Sequence, residues 1–101
     1  MNHSVLEIAE VRIKKDVSEE DFIKAAENVH KNFLAKQAGL VSHHSYKSEE
    51  GTWIDLVRWN DKKSADDASQ KAMQSEVCIP WFSMMDEKSI TMRHVTLVKK
   101  W

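Results

Sequence analysis

The stretch Leu40–Asn60, LVSHHSYKSEEGTWIDLVRWN, reads as two strands joined by Glu49-Glu50-Gly51, a short glycine-containing connection of the kind that closes a hairpin. In the first strand Leu40, Ser42, His44 and Tyr46 alternate with Val41, His43, Ser45 and Lys47. In the second, Trp53, Asp55, Val57 and Trp59 alternate with Ile54, Leu56 and Arg58. Successive strand side chains point to opposite faces. Both faces of the second strand are therefore substantially apolar, which predicts a strand covered on two sides.

Working outward, Ser4–Lys14 also alternates, with Val5, Ala9, Val11 and Ile13 on one face and Leu6, Ile8, Glu10 and Arg12 on the other. Ser18 then opens a helix: its hydroxyl is placed to cap the amide of Asp21, and Val17 to staple onto Phe22. Glu19, Glu20 and Asp21 complement the positive helix end. Phe22, Ala25, Ala26, Val29 and Phe33 recur at the spacing of one buried face, and Gly39 is read as the glycine that closes this element. A second helix is expected over 64–76 with Ala65, Ala68, Ala72 and Met73 on its packing face; Pro80, which lacks an amide, breaks the pattern. The apolar lobe Val77–Met85 reads as a short helical turn, and 89–99 as a last strand in which Ile90, Met92, His94, Thr96 and Val98 share a face. The order β-α-β-β-α-β predicts an α+β, ferredoxin-like domain with a four-stranded antiparallel sheet, one domain over 1–101. Two helices cover one face of such a sheet. The apolar residues on the other face predict a homodimer packed sheet to sheet.

Composition narrows the function classes. The 101 residues carry 15 Lys+Arg against 16 Asp+Glu, a formal net charge of −1, which speaks against a general nucleic-acid or anionic-membrane binder. No apolar run approaches the roughly 20 residues that span a bilayer, and Glu7 and Glu10 interrupt the N-terminal segment where a secretion signal would be apolar. A soluble cytoplasmic protein is the expectation. One cysteine, Cys78, excludes an intrachain disulfide framework; it reads as a small buried hydrophobe.

Gly51-Thr52-Trp53-Ile54-Asp55-Leu56-Val57-Arg58-Trp59, together with Ser89-Ile90-Thr91-Met92-Arg93-His94, resembles the antibiotic-biosynthesis-monooxygenase-like dimeric α/β barrels, and the likeness runs from about Val5 to Leu97. The resemblance implies the fold and the dimer above. Relatives of this kind include cofactor-independent monooxygenases, haem-degrading enzymes, isomerases and proteins of no known reaction, so fold analogy alone does not choose an activity. The haem-degrading pattern has an asparagine, a tryptophan and an iron-binding histidine where this chain has Val11, about Ala68 and about Cys78; that branch is disfavoured.

Two readings follow. One is a cofactor-independent monooxygenase of a small aromatic or phenolic substrate: the deprotonated substrate supplies the electrons, so the protein provides a dry pocket and a base. His94, His44 or Asp55 would take the proton, with His44 chosen over His43 as the inward-facing member of the doublet because it shares the alternation of Leu40 and Tyr46. Trp59, Tyr46, His30, Phe22, Trp81 and Met85 would line the ring site, and no cofactor is needed. The other is a non-catalytic dimer that binds a small apolar or aromatic ligand or serves as a structural partner. No H-x-x-x-H or carboxylate-rich cluster marks a metal site. The main cavity is expected between the sheet and the first helix, rimmed by 79–85, with Trp53 partly exposed beside the turn.

Overall fold

The computed structural model describes residues 4–101. Strand β1 (Val5–Val11) leads into helix α1 (Glu19–Asn32); β2 (Leu40–Lys47) and β3 (Trp53–Trp59) form the hairpin; α2 (Lys62–Ala72) and a single turn α3 (Ile79–Phe82) precede β4 (Thr91–Thr96). Sheet order is β2-β3-β1-β4, every pair antiparallel. This is the α+β ferredoxin-like arrangement. The N-cap of α1 is the one read from sequence: Ser18 Oγ accepts from the amide of Asp21 at 3.0 Å. For α2 the cap is Asp61, whose carboxylate accepts from the Ser64 amide at 2.8 Å. That amide, then the Ser64 hydroxyl, holds the Asp61 carboxyl below its ordinary range.

Element bounds differ from the expected ones in instructive ways. Helix α1 stops at Asn32, and a 3-10 turn over Leu34–Lys36 carries the chain to Gly39. Gly39 therefore closes the loop rather than the helix. Helix α2 ends at Ala72, before the expected 76, because Gln74 and Ser75 already bond back to Lys71 and Ala72 as turns. Met73 is 77% exposed and contributes nothing to packing.

Cross-strand register assigns each residue to a face. Val5, Glu7, Ala9 and Val11 of β1 lie opposite Trp59, Val57, Asp55 and Trp53 of β3, and these face the helices. Phe22 and Ala26 of α1 pack with Val11, Trp53 and Met85. Trp59 and Val57 pack with Ala65 and Ala68 of α2, and Val29, Phe33 and Cys78 make a third cluster. Phe22 is 0% and Trp59 1% exposed. The layer expected to hold the main cavity is thus filled. Trp53, expected at the surface, is 8% exposed, its ring edge-on to Phe22 at 4.9 Å between centroids. The other sheet face presents Leu6, Ile8, Ile54, Leu56 and Val95, none of them fully buried.

One irregularity matters later. Between Leu40 and Ser42 the β2–β3 register slips, so Leu40 pairs with Trp59 and Ser42 with Arg58. Val41 is the extra residue of a bulge, and alternation restarts after it.

Gly39 (φ +87°) and Gly51 (φ +88°) both sit in the left-handed region. A Cβ at Gly39 would run into the Ser64 side chain, whereas at Gly51 it meets open space. Gly51→Ala is expected to cost about 1–2 kcal/mol from backbone conformation. Gly39→Ala should cost about 1–3 kcal/mol more, through overpacking. Urea denaturation of the two variants checks the ordering.

Candidate functional site

Histidine and carboxylate side chains meet in one row across the helix-facing side of the sheet. His43 of β2, Val57 of β3, Glu7 of β1 and His94 of β4 are successive register partners. With strands about 4.8 Å apart, the two histidines lie roughly 14 Å from one another. Each has its own carboxylate.

At one end His94 Nε2 lies 3.1 Å from Glu7 Oε1, both side chains mostly buried. An ionised carboxylate only accepts, so in the neutral ring Nε2 carries the proton and Nδ1 keeps its lone pair. Among the described residues no hydrogen bond occupies that Nδ1. His94 is therefore an imidazole oriented by Glu7 with a basic nitrogen to spare.

At the other end Asp55, 6% exposed, is a carboxylate in the sheet interior. Such a group is costly to bury unless hydrogen-bonded. Trp53 Nε1 donates to Oδ2 at 2.8 Å, while Oδ1 takes the Ser45 hydroxyl at 2.5 Å and His43 Nε2 at 2.9 Å. His43 in turn meets His30 of α1, Nδ1 to Nδ1, at 2.9 Å. The same seam is tied at its far end by Lys47 and Glu19 at 3.1 Å.

His44 does not join this group. It pairs with Leu56 and, with Tyr46 opposite Ile54, lies on the open face of the sheet. The expectation of His44 as the inward histidine is corrected to His43, and the reason is the Val41 bulge: alternation counted from Leu40 does not survive the inserted residue. Of the other residues expected at a ring site, Phe22, Trp81 and Met85 come together in one aromatic cluster with Trp53. Trp59 stands apart under α2 and His30 at the β2 edge. Glu7, His43 and Ser45 were missed, although the available signal was a carboxylate in each of two central strands needing a donor on the same face.

Two indole N–H groups, those of Trp59 and Trp81, are buried with no acceptor among the described residues. Cys78 is 1% exposed, and burial pushes its thiol up against a weaker opposing bond from Ser75; it is a packing residue. Among the described residues no three His, Cys, Asp or Glu side chains converge as ligands for one metal ion, since the two His43 nitrogens point opposite ways. A concavity of about 340 Å³ lies on the other side of the sheet, lined by Leu6, Arg58, Val95, Leu97, Lys99 and Trp101 among others.

Asp55→Ala would strand the Trp53 and His43 donors. Each buried donor left unpaired costs about 1–3 kcal/mol, so a loss of about 2–4 kcal/mol is expected in urea denaturation. Lys47→Ala, which removes an exposed pair, should stay within about 1 kcal/mol.

No family model matches the chain, and no curated protein matches it significantly. Solved structures do resemble it. A Bordetella bronchiseptica protein described as a putative antibiotic biosynthesis monooxygenase superposes with a TM-score of 0.78 at 19% identity, covering 96% of this chain and 99% of that one. A putative monooxygenase from Shewanella loihica gives 0.72 at 19% identity, with 99% of each chain covered. SnoaB from Streptomyces nogalater, described as a cofactor-independent oxygenase, gives 0.62 at 16%, covering 97% and 94%. No helix of the described residues is long and apolar enough to cross a membrane. At these identities the likeness is one of fold, and the fold is that of the antibiotic biosynthesis monooxygenase-like proteins.

Proposed function

We propose that the protein is a cofactor-independent monooxygenase of a small aromatic hydroxyl compound, with His94 as the base. The observation that carries this reading is the buried Glu7–His94 pair with its unoccupied Nδ1. In such chemistry the base removes a proton from an electron-rich phenol or anthrone-like ring system. The resulting anion gives electrons to dioxygen; one oxygen atom becomes a ring carbonyl and the other leaves as water. The protein contributes proton transfer and exclusion of water. The Trp59 N–H, buried without an acceptor, suits a developing phenolate oxygen. Because α2 holds the sheet chiefly through Ala65 and Ala68, it is the element whose displacement would admit a ring. Resemblance to SnoaB in fold agrees with this chemistry.

A second reading is a non-catalytic binder of a small apolar ligand. The filled sheet–helix layer and the open-face concavity favour it. In both readings we propose a homodimer through the open face, where Leu6, Ile8, Ile54 and Leu56 lack a covering layer.

Oxygen uptake with a panel of hydroquinones and anthrones separates the two. Wild type should consume oxygen, and His94→Ala should lose about 10²-fold or more. His44→Ala, on the other face, should leave the rate unchanged. Absence of uptake across the panel, with an organic molecule retained in native mass spectrometry, supports the binder instead. For the dimer, sedimentation equilibrium at micromolar concentration should give twice the 11.7 kDa chain mass; a monomer mass overturns it.

A further inference from the structure

The Asp55 end of the row has a property that the His94 end lacks. The ring centroids of His30 and His43 are 5.1 Å apart and their planes differ by 24°, with the two Nδ1 atoms 2.9 Å apart. A centroid separation equal to the nitrogen gap plus two ring radii means that the rings meet end to end, almost in one plane. They are not stacked. An in-line nitrogen–nitrogen hydrogen bond holds one proton, which sits on one partner or the other.

The buried carboxylate decides which. Asp55 already accepts from Trp53 and Ser45, and as an acceptor it requires the His43 proton on Nε2. His43 Nδ1 is then a lone pair, so His30 must carry its proton on Nδ1. His30 Nε2, the last nitrogen of the relay, is left unprotonated. The tautomer of a half-buried histidine on α1 is thereby fixed from inside the sheet, two residues away in the relay.

We propose that Asp55, His43 and His30 form a one-proton relay whose outer terminus, His30 Nε2, is a general base for a weakly acidic hydroxyl group. A proton passing from such a hydroxyl to His30 Nε2 displaces the Nδ1 proton onto His43 Nδ1. His43 becomes an imidazolium clamped against Asp55, and the hydroxyl is left as an oxyanion. No electron moves, and the reverse transfer restores the start. The new charge thus comes to rest beside the buried carboxylate. A second proton would set N–H against N–H across the same gap, so the pair carries one and opens before it carries two. Besides Asp55 on β3, the charged groups around the pair are Glu7 on β1 across Val57, exposed Glu27 and Lys31 on α1, and Lys47 on β2, held by Glu19. This unit is distinct from the Glu7–His94 base and stands whether or not the oxygen-uptake reading holds.

Long-range proton–nitrogen NMR of the full nitrogen-15-labelled chain, at about pH 8 where free histidine is neutral, reads the tautomers directly. Wild type should show His30 protonated at Nδ1 and His43 at Nε2. In Asp55→Asn the amide donates to His43 Nε2, so both histidines should invert. If that variant does not fold, His43→Ala serves instead: it should release His30 to the Nε2-protonated form usual for free histidine. A wild-type His30 protonated at Nε2, or tautomers unmoved by these substitutions, would each overturn the relay. For the base role, 4-nitrophenol added near pH 6 should show extra nitrophenolate absorbance with wild type and none with His30→Gln. Equal absorbance with both proteins overturns that role.

Discussion

A carboxylate buried in the central strand of a sheet constrains everything near it. Asp55 lies between Trp53 and Val57 on the helix-facing side, where it and both of these neighbours are buried. It survives there because an indole, a hydroxyl and an imidazole each donate to it. Those three donors come from the same hairpin, so the β2–β3 register and the burial of Asp55 support one another. A slip of register by one residue would remove Ser45 and His43 together.

The same constraint orders the helix layer. Trp53 cannot swing outward without giving up its bond to Asp55, so its ring stays edge-on to Phe22 and fixes how closely α1 approaches. His30 then reaches β2 through His43 rather than through apolar contact. Helix α2 has no such tether and rests on β3 through alanines. One helix is pinned by polar links and the other by small apolar ones. That asymmetry gives the two helices different kinds of attachment to one sheet.

The element order, the Ser18 cap and the helix-facing set Asp55, Val57 and Trp59 were legible in the sequence, because they rest on local periodicity and capping chemistry. Alternation grouped His94 with Met92 and Thr96 but left open which side of the sheet that set faces, which the β1–β4 register decides. What was not legible depends on information outside the local pattern. Val41 looks like an ordinary strand residue, and nothing in its identity announces that it is extruded; the inward histidine was therefore misassigned. Trp53 sits next to a turn, and only the carboxylate two residues on explains its burial. Glu7 enters the sequence only as a charge in the N-terminal segment, and its role shows when β4 is laid beside β1 and brings His94 to it. Likewise, the filling of the layer above the sheet depends on how α1 and α2 settle, which alternation does not describe.

The bulge at Val41 and the histidine doublet that follows it together confer an unusual tolerance to insertion and deletion. In most strands the gain or loss of one residue upstream exchanges an inward functional group for an unrelated one. Here the residue that takes the vacated phase is again an imidazole, because His43 and His44 are adjacent. A lineage could keep Val41, absorb it into regular alternation as β2 straightens, and still present a histidine, now His44, towards the helices. The new histidine would stand one step along the strand from its predecessor, with a different neighbour across the hairpin. An inward imidazole is thus kept whether the bulge stays or is absorbed, whereas its coupling to Asp55 is not, and it is the coupling that such a change would reset.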